Sequence, residues 1–125
     1  MKKFALLTGI TLITGCATIM PSKTISGVYQ GFLPCADCEH IQAELVLNKD
    51  NSYQYNTVYF LKNNKKQSFS EQGIFYRDSE KNNVIRLKET DNTALIVTED
   101  YLEFADQNGN KIDNTNNYKL HKRAK

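Results

Sequence analysis

The sequence predicts an all-β fold: a small antiparallel up-and-down β-barrel, or a half-open version of one, of about eight short strands. Three observations predict it. Apolar and polar residues alternate with period two along most of the chain. Helical periodicity is nearly absent after the N-terminal segment. The alternating segments are separated by hairpin-length turns rich in Asn, Asp and Gly. A meander leaves open strand edges, and closure into a barrel removes them. A barrel of about eight strands encloses packed side chains or one small ligand. A β-sandwich is the structural alternative.

The first strand is Gly27 to Leu33, with Val28, Gln30 and Phe32 on one face and Tyr29 and Leu33 on the other. Gly27 and Gly31, four apart, suggest a bend or close packing at the barrel wall. The second places Ile41, Ala43, Leu45 and Leu47 on one face, with Val46 the apolar exception on the other. Lys49-Asp50-Asn51-Ser52 is a turn. Tyr53, Tyr55, Thr57 and Tyr59 then alternate with polar neighbours and Val58. Lys62-Asn63-Asn64-Lys65-Lys66 is a basic hairpin tip leading to Phe69, Glu71, Gly73 and Phe75. Asp78 to Asn83 is a turn, Val84 to Leu87 a strand, Asp91-Asn92 a turn and Ala94 to Thr98 a strand. Tyr101, Leu102 and Phe104 form the next strand. Asp106 to Asn110 is the clearest turn, because Asn and Gly accept positive φ cheaply. Tyr118 and Leu120 end the pattern. Seven Tyr and six Phe, mostly inside these segments, point to a core of rings and aliphatics.

Ahead of this domain lies an export signal. Lys2 and Lys3 precede an apolar run from Phe4 to Ile13, and Ile13-Thr14-Gly15-Cys16 closes it. A basic end, an apolar stretch and small residues at the cut define a secretory signal. A cut just before cysteine is the bacterial lipobox, so Cys16 is the expected lipidation site. The apolar run falls short of the roughly 20 residues a spanning helix needs. The expected organisation is a signal peptide over residues 1–15, a lipidated tether over 16–25 and a barrel domain over 26–125. The residue after Cys16 is Ala17, not aspartate, which points to the outer membrane, at its periplasmic face. In a host without an outer membrane, the same signal means the outer face of the plasma membrane.

Cleavage removes two of 16 basic residues, leaving 14 against 14 acidic ones and a net formal charge of zero in place of +2. No basic field remains to attract nucleic acid.

Two cysteines remain beyond Cys16, in Leu33-Pro34-Cys35-Ala36-Asp37-Cys38-Glu39-His40, between the first two strands and hence at a barrel mouth. Pro34 suits the first turn of a short helix, whose N-terminus would give Cys35 thiolate character. Three readings stay open. One is a local disulfide, suited to an oxidising compartment and stabilising the fold modestly. The second is a redox or soft-metal site, with Cys35 and Cys38 as thiolate ligands for Cu(I) or Zn(II) and His40 as a third ligand. A structural zinc site expects four ligands, and there is no second cysteine pair. The third is a thioredoxin-like catalyst, but the βαβ units that fold expects are missing. Attached haem would need histidine at position 39, which is Glu39.

Elsewhere the chemistry is sparse. His121, beside Lys122 and Arg123, reads as a solvated tail residue. The strand tyrosines could line a pocket, but core and edge packing is the preferred reading. There is no Gly-rich phosphate loop, no Ser-His triad pattern and no paired carboxylates, so nothing argues for an enzyme.

Gly27-Val28-Tyr29-Gln30-Gly31-Phe32-Leu33-Pro34-Cys35-Ala36-Asp37-Cys38 resembles the opening of the N-terminal domain of the copper resistance lipoprotein NlpE family. That family's pattern is Gly-x-Tyr-x-Gly-x-Leu-Pro-Cys-x-x-Cys. The likeness continues through Ile41, Leu45, Leu47, Asp50 and Tyr53, a Glu-x-Gly-x-aromatic stretch at Glu71, Gly73 and Phe75, and a late Leu102, Asp106 and Gly109. Where the family has glycine two residues after the second cysteine, this chain has His40. The resemblance implies a lipocalin-like barrel, an outer-membrane lipoprotein, and links to copper tolerance and envelope stress. Some members carry a second, OB-like domain. The sequence ends at Lys125 without room for one, so signalling through such a domain is not expected.

The expected function is therefore a non-enzymatic lipoprotein of envelope stress or copper homeostasis, with copper(I) the candidate cofactor. Its partners would be the membrane, through the lipid, and an envelope stress sensor or other envelope protein. The rivals are a lipocalin-like carrier of a lipid or other small apolar ligand, and an inhibitor of an envelope hydrolase.

Overall fold

The computed structural model describes residues 25–113 and 116–123. The signal peptide, Cys16 and nearly all of the tether lie outside the described residues. Eight antiparallel strands close a barrel in chain order: β1 (Gly27–Leu33), β2 (His40–Leu47), β3 (Ser52–Phe60), β4 (Lys66–Arg77), β5 (Val84–Leu87), β6 (Thr93–Val97), β7 (Tyr101–Phe104) and β8 (Lys119–Lys122). The barrel, not the sandwich, is the outcome of the alternating pattern.

Residues directly opposite one another across antiparallel strands share a face. Tyr29 pairs with Leu45, Leu45 with Tyr55 and Tyr55 with Glu71. That register turns the odd-numbered positions of the first four strands inward. Tyr29, Leu45, Leu47, Tyr53, Phe75 and Ile85 join Leu87, Leu95, Leu102 and Leu120 in one buried core. At roughly 1.5–3 kcal/mol for each large apolar side chain buried, this cluster is the main source of stability.

Closure depends on a close approach at Gly31. A methyl group there would lie 2.5 Å from the Lys119 carbonyl oxygen and 3.2 Å from Leu120 Cδ2. The seam between β1 and β8 holds two register pairs, Tyr29 with Lys122 and Gln30 with His121. The Arg123 amide adds a bond to the Val28 carbonyl at 2.7 Å. His121 is thus a member of the closing strand and not of a tail, although its side chain is exposed and lies against the Tyr101 ring.

The turns follow their residue types. Asn51, Asn63, Asn64, Asp91 and Asn92 all take positive φ, as does Gly109. Asp106 Oδ1 accepts the amides of Asn108 and Asn110, each at 2.9 Å. The Asn content is therefore partly conformational: Asn tolerates left-handed backbone better than other side chains. Residues 105–110, just after β7, fold back over the outside of β5 and β6. The Ala105 amide bonds to the Ala94 carbonyl at 2.9 Å. Arg86 reaches the Gln107 carbonyl and holds Asp78 at 2.6 Å. Val84, Ala94 and Glu103 are buried beneath this cover on the outer face.

β4 is longer than its pattern suggested. It spans 12 residues, but only Phe75, Tyr76 and Arg77 pair with β5. The remainder pairs with β3 alone, so the two strands project as a tall hairpin.

Candidate functional site

The first site is the cysteine loop. β1 starts at the end where the tether enters and delivers the chain to Leu33, so the loop sits at the opposite end of the barrel. Residues 34–39 form bends and no helical turn, so the expected helix N-terminus beside Cys35 does not form. The Glu39 amide instead bonds to the Phe60 carbonyl at 2.9 Å, extending the ladder to β3 and anchoring the loop. Cys35 and Cys38 are joined in a disulfide with their Cα atoms 5.4 Å apart. Cys38 is buried, Cys35 is half-buried, and Ala36, Asp37 and Glu39 are exposed. Cys38 Sγ lies 3.6 Å from the His40 carbonyl oxygen.

His40 opens β2, so its backbone is strand and not turn. Its ring stacks on Phe60, with centroids 4.4 Å apart, and meets Phe32 edge-on at 5.2 Å. Lys66 Nζ sits 5.1 Å from the centroid of Phe60. His40 therefore belongs to an aromatic row on the outer wall. Its ring would have to leave this stack to act as a third ligand. Among the described residues, no cluster of three or more His, Cys, Asp or Glu side chains is arranged to hold a metal ion.

The second site lies inside the projecting hairpin. A cavity of about 400 Å³ is lined by Tyr55, Thr57 and Tyr59 of β3 and by Gln67, Phe69 and Glu71 of β4, with Thr90 from the β5–β6 turn. The tyrosines thus divide. Tyr53 is core, at 2% exposure, while Tyr55 and Tyr59 face the cavity. Tyr59 and Phe69 meet edge-to-face at 5.3 Å. Thr90 Oγ1 donates to Glu71 at 2.6 Å and accepts from the Tyr53 hydroxyl at 2.7 Å. Burial, the neighbouring Tyr59 and the Glu71 charge raise the Tyr55 phenol far above its ordinary value, so it stays neutral.

Glu71, Gly73 and Phe75 now have separate physical reasons. Glu71 receives Thr90. Gly73 leaves room for the Glu89 carboxylate, which a Cβ would overlap. That carboxylate accepts the Ile74 amide at 2.8 Å, where β4 separates from β5. Phe75 enters the core. The tyrosine-lined pocket, second to packing in the sequence, is thus present for Tyr55 and Tyr59, and its polar members, Gln67, Glu71 and Thr90, look like ordinary surface residues in sequence.

Comparison with known proteins agrees with this architecture. Residues 29–115 match the NlpE N-terminal domain. Lipoprotein NlpE of Escherichia coli (strain K12) is 30% identical over 136 aligned positions, covering 96% of this chain and 57% of that protein. A candidate lipoprotein of Shewanella oneidensis superposes with a TM-score of 0.71 at 36% identity, covering 80% of this chain and 90% of the other. The structure of the Cpx pathway activator NlpE from Escherichia coli superposes with a TM-score of 0.61 at 29% identity, covering 82% of this chain and 53% of the other. This chain spans just over half the length of the E. coli protein. A matching motif, a matching barrel and a match along most of its length lead to one assignment: the chain belongs to the NlpE N-terminal domain family.

Proposed function

We propose that this is a non-enzymatic lipoprotein, anchored through Cys16 at the periplasmic face of the outer membrane, whose Cys35–Cys38 loop reports redox state or soft metal. The carrying observation is the placement of the cysteine pair. The lipid would sit at one end of a rigid barrel and the thiols at the other, held away from the membrane and within reach of an envelope partner. The E. coli relative is described as an activator of the Cpx pathway, which supports an envelope stress sensor as that partner.

In the disulfide state neither sulfur is a ligand. Exchange with an external dithiol, which is left as a disulfide, would convert the bridge to two thiols. Deprotonated, these converge on one ion from neighbouring loop positions, and soft thiolates suit copper(I). The residues fit a two-sulfur site, with His40 available only outside its stack. Metal binding would release protons and weaken as pH falls.

Competition for Cu(I) with a chelator, on reduced protein, tests the proposal. Cys35→Ser or Cys38→Ser is expected to remove most of the affinity, and His40→Ala a smaller part. Wild-type affinity no tighter than that of Cys35→Ser leaves the disulfide as a purely structural brace. The carrier reading has support in the cavity, but the packed core closes the rest of the interior to a long acyl chain.

A further inference from the structure

We propose that the cavity under the β3–β4 hairpin is a binding site for a primary alkylammonium group. This goes beyond the cysteine loop and does not depend on it.

The first argument is charge. Among the described residues, those lining the cavity include one carboxylate, Glu71, and no basic side chain. Glu89 approaches from the other side of Thr90, and both carboxylates act on the Tyr53 phenol. The field inside is negative and no lining cation answers it.

The second argument is unused hydrogen-bonding capacity. Glu71 Oε1 accepts from Thr90, but among the described residues Oε2 has no protein partner. The same holds for the hydroxyls of Tyr55 and Tyr59. Glu71 is exposed and Tyr55 and Tyr59 are half-buried, so these acceptors are open to a donor that enters from solvent. A primary ammonium carries three donors and no acceptor. Glu71 Oε2 and the two phenol oxygens are three acceptors around one space.

The third argument is shape. Tyr55, Tyr59 and Phe69 supply aromatic surface for the ammonium and its alkyl stem. Phe69 is 48% exposed, a large apolar ring held at the mouth. About 400 Å³ is enough for a small amine or one long basic side chain.

The ammonium could arrive on a free small amine or on a lysine of a peptide. The cavity mouth opens along β4, where the even-numbered residues before Ile74 turn their backbone groups away from β3. An extended peptide could pair there, so the two sources need separate arms.

The test uses the full lipidated chain in maltoside micelles and follows the ring resonances of Tyr55, Tyr59 and Phe69. The free-amine arm titrates 2-phenylethylammonium against its neutral counterpart, 2-phenylethanol. The peptide arm titrates a capped pentapeptide with a central lysine against the same peptide with norleucine. The amine or the lysine peptide should shift these rings and bind roughly tenfold more tightly than its neutral counterpart. The arm that responds more strongly identifies the source. Glu71→Gln, which can still accept from Thr90, should lose roughly tenfold. Gln67→Lys places a tethered ammonium in the cavity, and should abolish binding of the added amine while the barrel stays folded. Equal binding of the charged and neutral probes overturns the proposal. So does an unchanged affinity in Glu71→Gln, or the absence of ring shifts with both cations.

Discussion

Gly31→Ala should loosen the barrel at its closing seam. The new methyl would meet the Lys119 carbonyl at 2.5 Å, and that obstacle is backbone in the neighbouring strand. It cannot rotate away, so β1 and β8 must separate. Overpacking of this kind costs about 1–3 kcal/mol, and a backbone obstacle places the cost near the top of that range. Alanine also reduces the freedom of the unfolded chain, which offsets about 0.4–1 kcal/mol. The net loss is about 2 kcal/mol, which lowers Tm by roughly 8–16 °C in a domain of this size. Gly73→Ala is the control. Its methyl meets the Glu89 carboxylate and, at 2.8 Å, the Glu89 Cβ; the carboxylate can swing aside at the cost of one exposed hydrogen bond to Ile74, and the exposed turn that carries Glu89 can shift by a few tenths of an ångström to clear the Cβ. That change should cost about 1 kcal/mol. Urea unfolding gives the two free energies, and amide exchange locates the weakness. In Gly31→Ala the Arg123 amide, bonded to Val28 across the seam, should exchange faster than core amides such as Leu87. Equal losses in the two variants, or a stable Gly31→Ala, would refute the reasoning.

Lipidation at Cys16 predicts that Cys16→Ala loses metabolic fatty-acid label, and retained label would defeat that assignment. Circular dichroism of the mature domain should show antiparallel strand with very little helix; a helix content near the average of about one third would contradict the fold. Asp78 is held below the usual carboxylate range by its hydrogen bond from Arg86, then by the Glu80 and Lys81 amides. A depressed folded-state pKa gives stability that is fully present above about pH 4 and is lost as pH falls through the folded value. Arg86→Met should therefore flatten the acid limb of a stability-versus-pH curve, and an unchanged limb would show that the pair contributes nothing.

Much of the architecture was legible because period-two alternation reports directly which side of a sheet a residue faces. Tyr29, Leu45, Tyr53, Phe75 and Leu102 were all assigned to strands from that pattern, and all are core. Turns were legible for a similar reason: Asn51, Asp91, Asn92 and Gly109 sit at positive φ, where their residue types are cheapest. The cysteine loop was placed correctly at a strand junction. Its conformation was not legible, since Pro34 is as compatible with a bend as with a first helical turn. The position of His40 depended on register: pairing with Phe60 puts its ring on the outer wall, and nothing local to the Cys-x-x-Cys segment specifies that partner.

The cavity was hidden by a difference in strand length. At about 3.4 Å per residue, a 12-residue strand is roughly three times as long as a four-residue one. β5 covers β4 at Phe75–Arg77 and ends, and the β5–β6 turn reaches back with Thr90 and Glu89. Above that point β3 and β4 still direct Tyr55, Thr57, Tyr59, Phe69 and Glu71 inward, although β5 no longer faces them. β4 keeps one strand pleat from Gln67 to Phe75, and nothing in that pleat marks where its neighbour stops. A packed half and an open half in one barrel follow from unequal strands that share one alternation. The open half is where polar inward residues are tolerated, and it leaves Glu71 exposed to solvent beside the Tyr55, Tyr59 and Phe69 rings.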